Sequence, residues 1–263
     1  MGDILRSHVM RLPELSAIAA RAALGFVLPK RCLCCDARTD DADDGLCAAC
    51  WRQMPFLERP WCQRLGTPFA YDVGEDAWSP AAIASPPVFG RLRSVAFYEG
   101  PARQLVHSLK FSARRELTRP MARWMARSGA ELLTPESLLV PVPLHWLRLL
   151  SRRFNQAADL AREVAIAGGG HYEPGLLRRC KRTRRQVGLP AKDRRRNVRK
   201  AFAVDASRAA RLQGRHVVLI DDVMTTGSTV TACCNCLTSA GAASVDVLTF
   251  ALVDPSHRAG GAG

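Results

Sequence analysis

From residue 91 onward the apolar positions follow two alternating rhythms. Short apolar runs at 94–98, 138–142, 217–220 and 244–252 have the density of strands buried on both faces. Between them, 101–109, 116–133, 155–167 and 227–240 repeat apolar residues every three or four positions, the spacing of helices with one face in a core. This alternation predicts an α/β domain over 91–255, with a mainly parallel sheet flanked by helices.

Upstream the pattern changes. Within an N-terminal segment 1–30, residues 11–28 predict an amphipathic helix that stops at Pro29. Residues 31–70 are rich in Cys and Asp, and 71–90, with a Pro, Ala and Ser-rich stretch at 79–87, reads as a linker or loop. No internal repeat is evident, and the Gly-rich tail 256–263 is expected to fray.

Composition sharpens this picture. With 263 residues, 48% hydrophobic and 24% charged, the chain has enough apolar material for a core, which excludes wholesale disorder. Asp3, Arg6, Arg11, Glu14 and Arg21 interrupt the first thirty residues, unlike a signal peptide, and the apolar run 22–28 is too short to span a bilayer. No other window qualifies as a membrane span, so a cytoplasmic location is expected. Thiols stay reduced there, so the ten cysteines read as metal ligands and buried small hydrophobes rather than disulfides.

The net charge of +14 is local. Residues 176–200 hold twelve Lys or Arg against one acid, Asp193, which accounts for eleven of the fourteen charges. Such a segment suits an anionic ligand or a polyanion.

Six of the ten cysteines fall between Cys32 and Cys62. Cys32-x-x-Cys35 and Cys47-x-x-Cys50 are two knuckles, each able to give two thiolates to one tetrahedral Zn²⁺. Cys34 competes as a ligand, but the spacing favours Cys32. Asp36, Asp40, Asp41, Asp43 and Asp44 leave this segment little to fold on, so a structural ion would supply folding energy. Four thiolates close the coordination sphere, which assigns the site to structure rather than chemistry. Cys62-Gln-Arg-Leu65 looks like half of a further knuckle with Leu in place of a thiol, and Cys62 reads as a packed thiol in a turn. Cys233 and Cys236, with Cys234 between, have helical spacing and read as core. His107 and His171 have no identifiable partner.

Residues 217–229 are the most informative stretch. An apolar strand runs into Asp221 and Asp222, then into Thr225, Thr226, Gly227, Ser228 and Thr229, and a helix starts near Ser228. Backbone N–H groups at such a turn, the helix N-terminus and four hydroxyls make an anion cradle, and Gly227 lets a phosphate come close. The two acids would repel that phosphate. They suit an adjacent sugar diol, as hydrogen-bond acceptors, and Mg²⁺. Two acids four or more residues before a helix are also more than a helix cap requires.

Phosphate, diol and Mg²⁺ in that order describe a 5-phosphoribosyl group, and the stretch resembles the phosphoribosyl pyrophosphate (PRPP) motif of type I phosphoribosyltransferases. Together with the CxxC pairs, Val140-Pro-Val-Pro-Leu-His145, Arg152-Arg-Phe-Asn-Gln-Ala157, Gln186-Val-Gly-Leu189, Arg194-Arg-Arg-Asn197 and Ala201-Phe202, it resembles the ComF family over about residues 24–251. The resemblance implies a type I phosphoribosyltransferase fold with a small N-terminal zinc-ribbon-like module, and a link to competence and DNA uptake. It places a pyrophosphate loop at Leu144, His145, Arg148 and Arg152. It also makes 176–200 a hood, with Arg184, Arg185, Arg194 and Arg195 facing the ligand. The family commonly has Gly where this chain has Arg153, and often completes the cysteine pair that Leu65 interrupts, which suggests one metal.

The implied reaction is displacement of pyrophosphate at the anomeric carbon, carried by Mg²⁺ and arginines rather than by a nucleophilic side chain. Some base-salvage relatives carry an acid at the position of Thr225, which would act as general base on a purine. Thr does not, so hypoxanthine and guanine are disfavoured as acceptors. Three roles stay open for 176–200: a hood over PRPP, a surface that contacts nucleic acid including single-stranded DNA, and a solvated loop. It has no aromatic residue for base stacking. A non-catalytic DNA-uptake adaptor remains the alternative to an enzyme. Lys110 would reach an anionic ligand but reads more simply as a surface residue.

Overall fold

The computed structural model describes residues 31–39, 45–74, 76–111, 114–144, 155–180 and 201–254. The expected helix at 11–28, the tail at 256–263 and Asp40, Asp41, Asp43 and Asp44 lie outside them. The chain divides into two units, Met1–Arg52 and Gln53–Gly263. In the first, Arg31 and Arg38 form an antiparallel bridge whose turn closes through Cys32 N–H to Ala37 O (2.8 Å) and Asp36 N–H to Cys32 O (3.0 Å). Helix α1, Ala48–Arg52, follows.

The second unit opens with a similar bridge, Trp61 to Pro68, and then helix α2, Pro80–Ala84. The expected linker at 71–90 therefore carries a helix, because Ser79 caps it, accepting from Ala82 N–H at 3.3 Å, and Pro80 presets its first turn. Residues 55–64 belong to this unit because they are hydrogen-bonded to strand β1, Leu92–Phe97. Leu57 N–H donates to Val95 O, Phe97 N–H to Pro55 O and Leu92 N–H to Arg64 O, each at 2.9 Å.

Then come helix α3 (Gly100–Phe111), a 3-10 turn (Arg115–Leu117), helix α4 (Thr118–Ser128), strand β2 (Leu138–Pro141), helix α5 (Gln156–Gly168) and strand β3 (His171–Tyr172). Strands β4 (Leu177–Arg179) and β5 (Phe202–Val204) form an antiparallel pair. Strand β6 (His216–Met224), helix α6 (Ser228–Ser239) and strand β7 (Ser244–Leu252) end the described chain's regular elements. The main sheet has the order β1-β7-β6-β2-β3 and every pair is parallel. Parallel strands need helical crossovers, and these bury Leu105, Val106 and Leu109 of α3, Met121, Trp124 and Met125 of α4, and Leu160 and Val164 of α5.

Three expectations change. The helix expected over 116–133 breaks at Gly129, where a Cβ would lie 2.7 Å from Leu248 Cδ1, so the break lets the chain pass close to β7. The strand expected at 217–220 runs on to Met224 because β7 pairs with it as far as Leu252. The loop expected at 176–200 begins as strand β4, while residues 181–200 lie outside the described residues. Cys233 and Cys234 are buried in the core, where burial pushes both thiols up, Cys234 to about 12, so they stay neutral.

Two buried charges are matched. Arg93, 1% exposed, ion-pairs with Glu131, donates to Gln63 O (3.0 Å) and Gln63 Oε1 (2.9 Å), and lies over the Trp61 ring. Asp246 accepts from Arg91 N–H (2.7 Å), the Arg91 guanidinium (2.9 Å) and His216 Nε2 (3.2 Å). Burial alone would raise the Asp246 carboxyl, but the His216 hydrogen bond and Arg91 outweigh it and hold it below the ordinary range.

Removing one partner of a buried pair strands the other, so Glu131→Ala should cost about 3 kcal/mol in urea unfolding, more than the double change Arg93→Met/Glu131→Leu. The reverse order would contradict the pairing. Because the folded Asp246 pKa is depressed, its contribution is present above the unfolded value of about 3.9 and is lost as pH falls through the folded value. Thermal melts should show Asp246→Asn less stable at pH 7 and with a flatter acid limb; superimposable profiles would refute this.

Candidate functional site

In an all-parallel sheet, ligands collect beyond the carboxyl ends of the strands where successive crossovers leave in opposite directions. Here that place is between β2 and β6. From β2 the chain crosses through α5 to β3 on one side, and from β6 it crosses through α6 to β7 on the other. The ends of the two strands are joined by Val142 N–H to Ile220 O at 2.9 Å. Asp221 and Asp222 lie near the carboxyl end of β6, with Asp221 paired to Thr249 and the ladder running on to Met224 and Leu252. Among the described residues, Asp222 is paired from α3, whose Lys110 Nζ meets Asp222 Oδ1 at 2.8 Å.

The two carboxylates differ. Burial and the neighbouring Asp222 push the Asp221 carboxyl up to about 8, against the pull of its hydrogen bond from Asp222 N–H and of Lys110. Asp221 therefore holds its proton more readily than an ordinary carboxyl, while Asp222 carries the ion pair.

Beyond Met224 the loop turns sharply. Thr225 and Thr226 are exposed, and Thr226 Oγ1 lies 3.1 Å from Ser228 Oγ. Gly227 has φ +77°, and a Cβ there would press on Met224 Cε at 3.0 Å. Thr231 N–H to Gly227 O (2.7 Å) closes the first turn of α6, which leaves the N–H groups of 228–230 unclaimed by the helix itself. Exposed hydroxyls at the N-terminus of a twelve-residue helix form an anion-binding end.

The first unit holds a different constellation. The Sγ atoms of Cys32, Cys35, Cys47 and Cys50 all lie within 4.8 Å of one another, with Cys35 and Cys47 at 3.6 Å. A tetrahedron with Zn–S arms of about 2.3 Å has edges of about 3.8 Å, so the four thiols fit one Zn²⁺. Cys34 is not one of this group.

These two constellations have counterparts in known sequences. The double zinc ribbon domain matches residues 23–81, and the phosphoribosyl transferase domain matches 180–260. The DNA utilization protein YhgH of Salmonella typhimurium is 34% identical over 77% of this chain and 88% of its own length. The chain belongs to the ComF/YhgH family. Its other members include the YhgH protein of Escherichia coli K12, 32% identical over 77% of this chain and 88% of its own length, and the Competence protein F of Haemophilus influenzae, 29% identical over 82% and 94%. Superposition on the allosteric regulatory enzyme of purine biosynthesis covers 55% of this chain and 30% of that one, at 20% identity and a TM-score of 0.38, and adds nothing to the fold assignment. The ComF/YhgH chain thus has a type I phosphoribosyltransferase fold, a parallel sheet flanked by helices, with an N-terminal zinc ribbon of four cysteines. Among the described residues, no helix is long and apolar enough to cross a membrane.

In this ComF/YhgH chain, Asp221 and Asp222 on β6 and Thr225–Thr229 follow one another across the strand end, the loop and the start of α6, and half-buried Leu144 lies beyond the end of β2. His145, Arg148, Arg152 and Arg153, with Arg184, Arg185, Arg194 and Arg195, lie outside the described residues. His107 stacks on Phe111 at a ring distance of 4.6 Å. Lys110 is the residue that the sequence reading undervalued. It lies more than a hundred positions before Asp222, and only the return of β7 between β1 and β6 brings α3 to the site.

Lys110→Ala leaves the buried Asp222 charge unmatched and should lower stability by about 1–3 kcal/mol. Combined with Asp222→Asn it should cost less than the two single changes added together, and a double-mutant cycle with no coupling would dissolve the pair.

Proposed function

We propose that the β6–α6 loop binds PRPP, or a related 5-phosphoribosyl ligand, together with Mg²⁺, and that the protein transfers the phosphoribosyl group to an acceptor. The observation that carries this reading is the placement of Asp221 and Asp222 on the central strand, just before a hydroxyl-rich loop that ends on the N-terminus of α6. Thr225, Thr226, Gly227, Ser228 and Thr229 would hold the 5-phosphate through hydroxyls and N–H groups. Asp221 and Asp222 would accept from the ribose diol, and their carboxylate oxygens are of the kind Mg²⁺ prefers. Bound there, Mg²⁺ would supply positive charge to the pyrophosphate. Leu144, His145, Arg148 and Arg152 would flank that leaving group, and Arg184, Arg185, Arg194 and Arg195 would cover it and exclude water.

In the reaction, the bond between the anomeric carbon and pyrophosphate oxygen breaks and its electron pair leaves with pyrophosphate. The acceptor forms the new bond and gives up a proton. No side chain acts as nucleophile, and Thr225 is no base, so positioning and charge would supply the rate. Zn²⁺ on Cys32, Cys35, Cys47 and Cys50 would hold the ribbon together and take no part in chemistry.

A second reading, a nucleic-acid-binding adaptor, draws on the relatives' names, DNA utilization protein and Competence protein F, and on α4. Exposed Arg119, Arg123 and Arg127 recur every fourth residue on this helix, about 6 Å apart along its axis, and the helix has no acid. With 176–200 they would contact phosphates rather than bases.

One set of titrations tests both readings. Calorimetry with PRPP and Mg²⁺ should show saturable binding, weakened about tenfold or more by Asp222→Asn. Pyrophosphate release with a candidate acceptor would establish transfer. Absence of PRPP binding overturns the proposal, and binding without release under any acceptor leaves the adaptor. For the adaptor, affinity for a single-stranded oligonucleotide should fall linearly with the logarithm of salt concentration.

A further inference from the structure

The second unit begins with a structural copy of the first unit's ribbon. Trp61 bridges Pro68 as Arg31 bridges Arg38. Cys62 N–H donates to Thr67 O at 2.8 Å, as Cys32 N–H donates to Ala37 O at 2.8 Å. Gly66 N–H reaches Cys62 O at 2.8 Å where Asp36 N–H reaches Cys32 O at 3.0 Å, and these two residues share a left-handed backbone, φ +62° and +61°. The second limb follows suit. Gln63 N–H donates to Ala77 O (3.0 Å) as Leu33 N–H donates to Gly45 O (2.8 Å), and three residues beyond each acceptor a five-residue helix begins.

This register sets Cys62, Leu65, Ser79 and Ala82 against Cys32, Cys35, Cys47 and Cys50. One thiol, an isobutyl group, a hydroxyl and a methyl do not make a zinc site, and the hydroxyl is engaged with Ala82 N–H. In place of an ion, Ser79 N–H donates to Cys62 Sγ at 3.2 Å and ties the two limbs directly. Cys62 and Ala82 are fully buried, and Leu65 packs against the core. The copy is fastened to its own domain as well. Arg64 O accepts from Leu92 N–H (2.9 Å), the Arg64 guanidinium donates to Pro87 O (3.0 Å) and Phe89 O (2.7 Å), and Arg93 holds Gln63. Hydrogen bonds to a folded sheet can hold a short loop that would otherwise depend on a metal.

We propose that residues 61–82 are a zinc ribbon that has exchanged its ion for the Ser79–Cys62 hydrogen bond, so that the chain takes one zinc. We further propose that Leu65→Cys, Ser79→Cys and Ala82→Cys together restore a second four-thiolate site. The count of one rests on the first ribbon's reading as a zinc site.

The test is metal content of the full-length protein purified with excess zinc, with Co²⁺ absorption as a measure of tetrahedral thiolate coordination. One zinc in the natural chain and two in the triple variant, with the cobalt signal per chain doubled, is the expected result. Two zincs in the natural chain, or one in a folded triple variant, overturn the proposal. No zinc in the natural chain would instead overturn the reading of the first ribbon. Should the triple variant not fold, Cys62→Ala gives an independent answer. It should keep the single zinc while melting at a lower temperature, and loss of metal in this variant would make Cys62 a ligand and refute the exchange.

Discussion

Strand β6 is hydrogen-bonded along both sides, to β2 and to β7, and the position of its carboxyl end governs the rest of the molecule. Because every neighbour is parallel, both faces must be covered by crossover helices, and all the strand ends that matter open on one edge. Val217, Val218, Leu219 and Ile220 are fully buried, which anchors the strand before it reaches its two acids. A shorter or less buried strand would leave Asp221 in water, with an ordinary carboxylate's behaviour. The ladder to β7 instead holds it against the domain beside Asp222, which raises its carboxyl above the ordinary range.

This difference between neighbouring acids would serve the proposed ligand, which brings several groups to one site. Asp222 arrives already matched by Lys110, so its orientation is fixed before any ligand enters. Asp221 holds its proton more readily, and a cation bound beside it would favour the proton's loss. The loop that follows adds no charge. It adds oriented N–H groups and hydroxyls whose geometry depends on one glycine with a positive φ.

The features legible in the sequence were those encoded by local spacing. The span of β7, the two CxxC knuckles and the strand, acid, hydroxyl and helix order of residues 217–229 follow from periodicity and ligand geometry within a short stretch. What depends on pairing between distant segments was not legible. The end of β6 is set by β7, the break at Gly129 by a leucine of β7, and Lys110 finds Asp222 only through strand order. Two-residue β3 offers too little periodicity to register. The ribbon copy was half legible: Cys62-Gln-Arg-Leu65 reads as an interrupted knuckle, but its second limb, Ser79 and Ala82, keeps no ligand spacing and shows only in backbone hydrogen bonds.

The same fastening of residues 55–64 along β1 has a consequence for association between molecules. A parallel sheet ends in two rows of unpaired backbone groups, and each is a template on which a strand from another molecule could dock. At β1 that row is partly taken up from within, by Pro55, Leu57 and Arg64 and by the antiparallel bridge of Phe56 with Ala96. Residues 55–57, with Arg64 of the ribbon copy, thus serve as a built-in sixth neighbour. A strand from another molecule that extended the sheet past β1 would have to displace these contacts.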